Sequence, residues 1–166
     1  IARNGRDGVR NVSGDCHWTS LAVNCTVADN AVNGVFNPSS WAGWQNYYNC
    51  VISGHKIGVY RSDINYSGGI RLYNCVLANV TNCWRYNITT NDCVETADAR
   101  LQTNTVAKFY WPLQGSPVLG VASNRNATLA VKVYDDLAGH AIRFDRHYDA
   151  GCFQLQPPGG FLFCIR

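Results

Sequence analysis

The chain has 166 residues, 46% of them hydrophobic and 15% charged, with a formal net charge of +3. A chain of that length buries roughly 70% of the surface it would expose when unfolded, so residues 1–166 read as a single domain. No stretch approaches the roughly 20 consecutive apolar residues of a membrane helix, and the 11 Arg and 3 Lys are scattered with no basic run among aromatics, which argues against a nucleic-acid partner. One Glu and no Met, beside nine Tyr and five Trp, make poor helix stock and good strand stock. The expected class is all-β. The absence of Met, even at position 1, reads as a piece or mature form of something longer.

The first third carries turn signals at Asn4-Gly5, Asp7-Gly8 and Asn33-Gly34, which predict short strands. "SSWAGWQNYY" then gathers Trp41, Trp44, Tyr47 and Tyr48 beside Ser39, Ser40, Gln45 and Asn46. Large rigid rings with polar tips suit ligand hot spots and sugar stacking, and these four are the candidate receptor- or glycan-binding residues, with burial of the Trp rings as the competing expectation. From Tyr47 to Val80, "NYYNCVI", "KIGVYR" and "GIRLYNCVLANV" read as strands separated by Ser53-Gly54 and Ser67-Gly68-Gly69. Glu95 to Asn104 reads as a short helix. Beyond it, "ATLAVKVY" (127–134) alternates Leu129, Val131 and Val133 with Thr128, Lys132 and Tyr134, and "HAIRFDR" (140–146) repeats the pattern, so the two predict a hairpin.

Eight cysteines stand at 16, 25, 50, 75, 83, 93, 152 and 164. None are separated by the two or three residues of zinc knuckles or redox motifs, and an even, dispersed set predicts a disulfide framework. Pairings of Cys16, Cys25, Cys50, Cys75, Cys83 and Cys93 stay open. Cys152 and Cys164 are expected to pair, because "CFQLQPPGGFLFC" reads as a hairpin around Pro157-Pro158-Gly159-Gly160. The favoured fold is therefore a disulfide-stapled antiparallel β-sandwich or barrel-like domain. The alternative is a short parallel β-helix: Cys25, Cys50 and Cys75 each follow Asn at a spacing of 25 residues, a coil-sized period. The stretch from Asn49 to Asn82 resembles the coils of pectate-lyase-like proteins, a likeness that covers about two coils.

Six Asn-x-Ser/Thr sequons occur, at Asn11, Asn24, Asn65, Asn79, Asn87 and Asn126, where random placement gives about two. With the cysteines, this points to the secretory pathway and an extracellular or virion-surface location. No H-E-x-x-H, G-x-S-x-G or phosphate-binding glycine loop occurs. His140, Asp145, His147 and Asp149 could meet on one hairpin, but Arg143 and Arg146 beside them fit an exposed, charge-balanced strand. No catalytic residue, metal or cofactor is expected, and the protein is read as no enzyme.

"VFNPSSW" (35–41) resembles an F-N-P-S-T/S-W run in coronavirus spike receptor-binding regions, and "FYWPLQ" (109–114) is similar to a Y-F-P-L-Q run in other spikes. Together these cover 13 residues. The resemblance implies an attachment domain in the outer part of a larger, trimeric viral envelope glycoprotein, with a host cell-surface receptor protein or sialylated glycan as partner. A secreted carbohydrate-active β-helix enzyme and a host lectin or adhesion domain are the alternatives.

Overall fold

The computed structural model describes residues 1–10, 20–38, 43–62, 68–82, 87–103, 110–123, 135–139, 142 and 147–154. The chain winds in stacked coils, each contributing one strand to a first sheet, turning a corner, and contributing the next strand to a second. Sheet 1 holds β2 (Ser20–Val23), β5 (Trp44–Tyr48), β7 (Gly69–Tyr73) and β9 (Ile88–Asn91), in that order and all parallel. Sheet 2 holds β1 (Asp7–Arg10), β4 (Asn33–Asn37), β6 (Val51–Arg61), β8 (Val76–Asn82) and β10 (Val94–Thr96), again all parallel, with β3 (Thr26–Ala28) pairing the first part of β6. This is a parallel β-helix, and it overturns the antiparallel sandwich or barrel. Antiparallel pairing among the described residues is confined to β11 (Leu101–Gln102) with β12 (Trp111–Pro112) and an isolated bridge between Ala122 and Tyr148.

The 25-residue period is one turn of the coil. Thr26, Val51 and Val76 are in register, and Val94 continues the column. The fourth coil arrives early, 18 residues on at Cys93, because β8 ends at Asn82, opposite Ile57, where β6 runs on to Arg61, and the link that follows it is shorter too. At each corner the residue before Cys is left-handed: φ is 51° at Asn24, 56° at Asn49, 50° at Asn74 and 51° at Asp92. Asn and Asp tolerate that conformation where most side chains would clash. The next coil down accepts from the amides of Asn24, Asn49 and Asn74, as when Asn49 N donates to Tyr73 O at 2.9 Å.

The disulfide expectation is also corrected. Cys25, Cys50, Cys75, Cys93 and Cys152 are all free thiols; Cys16, Cys83 and Cys164 lie outside the described residues. In-register parallel coils set equivalent side chains about 4.8 Å apart with their Cα–Cβ bonds parallel, whereas a disulfide needs Cβ atoms about 3.8 Å apart and converging. The cysteines form a column, not pairs. Their thiols turn back to the carbonyl two residues earlier: Cys25 Sγ donates to Val23 O at 3.3 Å, Cys50 Sγ to Tyr48 O at 3.2 Å and Cys75 Sγ to Tyr73 O at 3.4 Å. The short helix expected over Glu95–Asn104 is absent as well. Glu95 and Thr96 instead extend the ladder against Leu77 and Ala78, and in this fold the backbone bonds of a neighbouring coil outweigh local propensity.

Two apolar clusters hold the molecule together. The first fills the coil interior with Val35, Tyr47, Ile52, Val59, Ile70, Leu72, Leu77, Cys50 and Cys75. The second lies on the other side of sheet 2, where Val51, Val76 and Ala78 meet Ala99, Val118, Ala122, Ile142, Tyr148 and Ala150 of the carboxy-terminal segment. The part of sheet 2 around Val51, Val76 and Ala78 is thus covered on both faces. The hairpin expected from 127–134 and 140–146 falls almost wholly outside the described residues, as does the one after Cys152.

Candidate functional site

Sheet 1 differs from sheet 2 in having one face in the core and the other toward solvent. Ala22, Tyr47, Ile70, Leu72 and Ile88 pack into the interior. By the period of two, Leu21, Val23, Trp44, Asn46, Tyr48, Arg71, Tyr73, Thr89 and Asn91 point outward. The register stacks them in columns: Leu21, Asn46, Arg71 and Thr89 form one, and Val23, Tyr48, Tyr73 and Asn91 another.

Stacking fixes the rings of this outward face. Tyr48 and Tyr73 lie parallel, with centroids 4.5 Å apart and planes at 7°. The Arg71 guanidinium sits 3.6 Å from the centroid of Trp44, a cation–π contact that holds the side chain flat without using its hydrogen-bond donors. Gly69 makes room for that indole, since a Cβ there would come within 2.8 Å of Trp44 Cζ3. Arg71 forms no ion pair with any described residue, and the outward residues of sheet 1 include no Asp or Glu. A second stack, Arg10 over Phe36 and Phe36 against Tyr60, runs along sheet 2. There Asp7 lies 3.6 Å from the Arg10 guanidinium and offsets its charge.

Of the four aromatic candidates, Trp44 and Tyr48 stand on this face. Tyr47 does not: it is 3% exposed and packs into the interior, its hydroxyl directed at Gln45 Oε1 and its pKa pushed up by burial. Trp41 lies outside the described residues. Arg71 and Tyr73 were missed by sequence reasoning. The signal was the coil period itself, because Arg71 is Asn46 plus one turn and Tyr73 is Tyr48 plus one turn.

Among the sequons, Asn79 and Asn87 are exposed, while Asn24 is 7% exposed and accepts from the Tyr148 hydroxyl at 3.4 Å. Asn11, Asn65 and Asn126 lie outside the described residues. All three described sequon asparagines have positive φ. Of the histidine cluster, His140 and Asp145 are outside the described residues; Asp149 accepts from Gly120 N at 3.1 Å and His147 is exposed. His55 is buried as a neutral ring, Nδ1 accepting from Asn30 N at 3.1 Å and Nε2 donating to Val27 O at 3.0 Å. No group of three metal-ligating side chains occurs among the described residues. Comparison with known proteins finds no matching family model, no matching curated protein and no matching solved structure.

Proposed function

We propose that the outward face of sheet 1 binds an acidic glycan, and that the protein is an outward-facing attachment module of an extracellular surface. The observation that carries this reading is the pairing of stacked rings, Trp44 with Arg71 and Tyr48 with Tyr73, on a face with no carboxylate among the described outward residues of its strands. Sugar rings lay their C–H faces and edges on aromatic side chains, and a guanidinium supplies two parallel donors to a sugar carboxylate. Sialylated and uronate-bearing glycans share that chemistry. The exposed sequons Asn79 and Asn87 support an extracellular setting.

The test uses bacterially produced protein, which carries no N-glycan at Asn87 beside this face. Affinity electrophoresis in polygalacturonate, with sialyllactose as a competitor and dextran as the neutral control, is expected to show binding to the acidic sugars that weakens with salt. A hydrogen-bonded charge pair is worth roughly 1.5–3 kcal/mol, so Arg71→Ala should weaken binding roughly tenfold or more, and Tyr73→Ala several-fold. Equal retardation of the unaltered protein, Arg71→Ala and Tyr73→Ala, all with native circular dichroism, rejects the proposal, as does equal retardation in dextran.

A further inference from the structure

Asn87 immediately precedes β9, and the ladder sets it beside the stacked rings of sheet 1. Trp44 pairs with Gly69, and the following pair, Ile70 with Ile88, places Asn87 next to Gly69 on the side away from Trp44. Trp44, Gly69 and Asn87 therefore form a third outward column, whose middle member has no side chain. A Cβ on Gly69 would stand 2.8 Å from Trp44 Cζ3 and 3.3 Å from Asn87 Cβ, so the indole edge and the Asn87 side chain are separated by no more than those two distances together. Asn87 Nδ2 is directed back over β7, donating to Gly68 O at 3.5 Å. Asn87 and Thr89, the two ends of the sequon Asn87-Ile88-Thr89, are both exposed, as residues two apart on one face of a strand.

We propose that Asn87 carries an N-glycan whose first N-acetylglucosamine fills the gap over Gly69 and lies against Trp44, so that this modification closes the acidic-glycan face of sheet 1. The closing role rests on the reading of that face given above. The attachment is a transfer: Asn87 Nδ2 displaces the diphosphate of a polyprenyl-diphosphate oligosaccharide, the Nδ2–C1 bond forming as the C1–O bond breaks. One amide proton is lost, and the electron pair leaves on the diphosphate. The substituted amide keeps one N–H, enough for its bond to Gly68 O.

The tether is short, since only Cγ and Nδ2 stand between the Asn87 Cβ and the sugar ring. Arg71 already holds a face of the indole, and the edge next to Gly69 is the part nearest Asn87. The C–H groups of a pyranose pack on such an edge as they do on other aromatic surfaces. A sugar held there by its own chain needs no association from solution, so it outcompetes a free glycan for the same ring. The branched remainder of the glycan then lies over Arg71 and keeps a second polymer from its guanidinium.

The test compares protein secreted from cells restricted to high-mannose glycans with bacterial protein. Glycopeptide mapping of the secreted form should find Asn87 occupied, and affinity electrophoresis in polygalacturonate should show it binding at least about tenfold more weakly, as expected when the Arg71 contact is lost. Secreted Asn87→Gly removes the attachment point while accepting the left-handed backbone, and should bind like the bacterial protein. Endoglycosidase H leaves one N-acetylglucosamine, and the trimmed protein should still bind several-fold more weakly than Asn87→Gly. Nuclear Overhauser contacts should join that remaining sugar to the Trp44 indole and be absent from Asn87→Gly. An unoccupied Asn87, or secreted unaltered protein and Asn87→Gly of equal affinity, overturns the proposal. Full recovery on trimming, or no Overhauser contact, overturns the seating of the sugar on Trp44. Bacterial protein that binds no acidic sugar rejects the sugar-binding face and with it the closing role, whereas the Overhauser contacts need no ligand and decide the seating independently.

Discussion

Asn49 joins the two halves of the fold, and its replacement separates backbone handedness from docking of the carboxy-terminal segment. The residue is fully buried at a left-handed corner, φ 56°. Its Oδ1 accepts from Ser123 N at 3.2 Å and its Nδ2 donates to the Tyr148 hydroxyl. Asn49→Gly keeps the corner but takes the acceptor from a buried amide, at a cost of roughly 1–3 kcal/mol. Asn49→Ala removes the same bonds and leaves in the left-handed region a Cβ without the polar side chain that makes Asn tolerant of it, about 1 kcal/mol worse than Gly. For a chain of this size each kcal/mol lowers Tm by about 2–4 °C, so the Gly variant should melt about 4–8 °C low and the Ala variant about 3 °C below that. Thermal unfolding monitored by tryptophan fluorescence and by far-UV circular dichroism gives both differences. Coincident midpoints for the Gly and Ala variants would refute the handedness reasoning, and a Gly variant as stable as the unaltered protein would refute the docking role.

Burial lowers the His55 pKa below its usual 6.5, the ring being held neutral between Asn30 and Val27. The unfolded chain therefore binds the proton first, and stability is expected to fall as pH drops below about 6.5; His55→Gln, compared at pH 7.5 and 5.5 by urea unfolding, should lose most of that added slope, and an unchanged slope would assign it elsewhere. Leu72 is 0% exposed at the centre of the coil interior, so Leu72→Ala should cost about 3–5 kcal/mol, measurable as a lower urea midpoint, and a loss below about 1 kcal/mol would mean that the interior is not packed around it.

Much of the coil was legible in the sequence once period took precedence over composition. The spacing of Cys25, Cys50 and Cys75 is the turn length, and the Asn before each is the left-handed corner. Two offsets concealed the regularity. Gly34 lies nine residues after Cys25 and Gly58 eight after Cys50, yet the two fall in register because the link from β3 to β4 holds one residue more than the matching stretch of β6. Cys93 comes seven residues early because β8 is shorter than β6 and the link that follows it is shorter too. Neither offset breaks a hydrogen-bond ladder, since a corner absorbs an added residue and a shorter strand drops only its terminal pairs. On sheet 1 the alternation was readable, but it sends Tyr47 inward and Tyr48 outward, a distinction that a count of clustered aromatics does not make.

The cysteines and sequons that suggested a cross-linked glycoprotein have a second physical origin in this fold. A small, weakly polar side chain that tucks its thiol back to its own strand fits a position repeated every coil, and Cys behaves there as a compact hydrophobe. A corner that must be left-handed selects Asn, and a strand follows it at once, bringing the Thr and Ser that strands favour. Asn24 with Thr26 is such a pair, and its asparagine is buried. The corner geometry therefore accounts for this one sequon of the six without any selection for glycosylation. What bears on an extracellular setting is not the count of six but the exposure of Asn79 and Asn87.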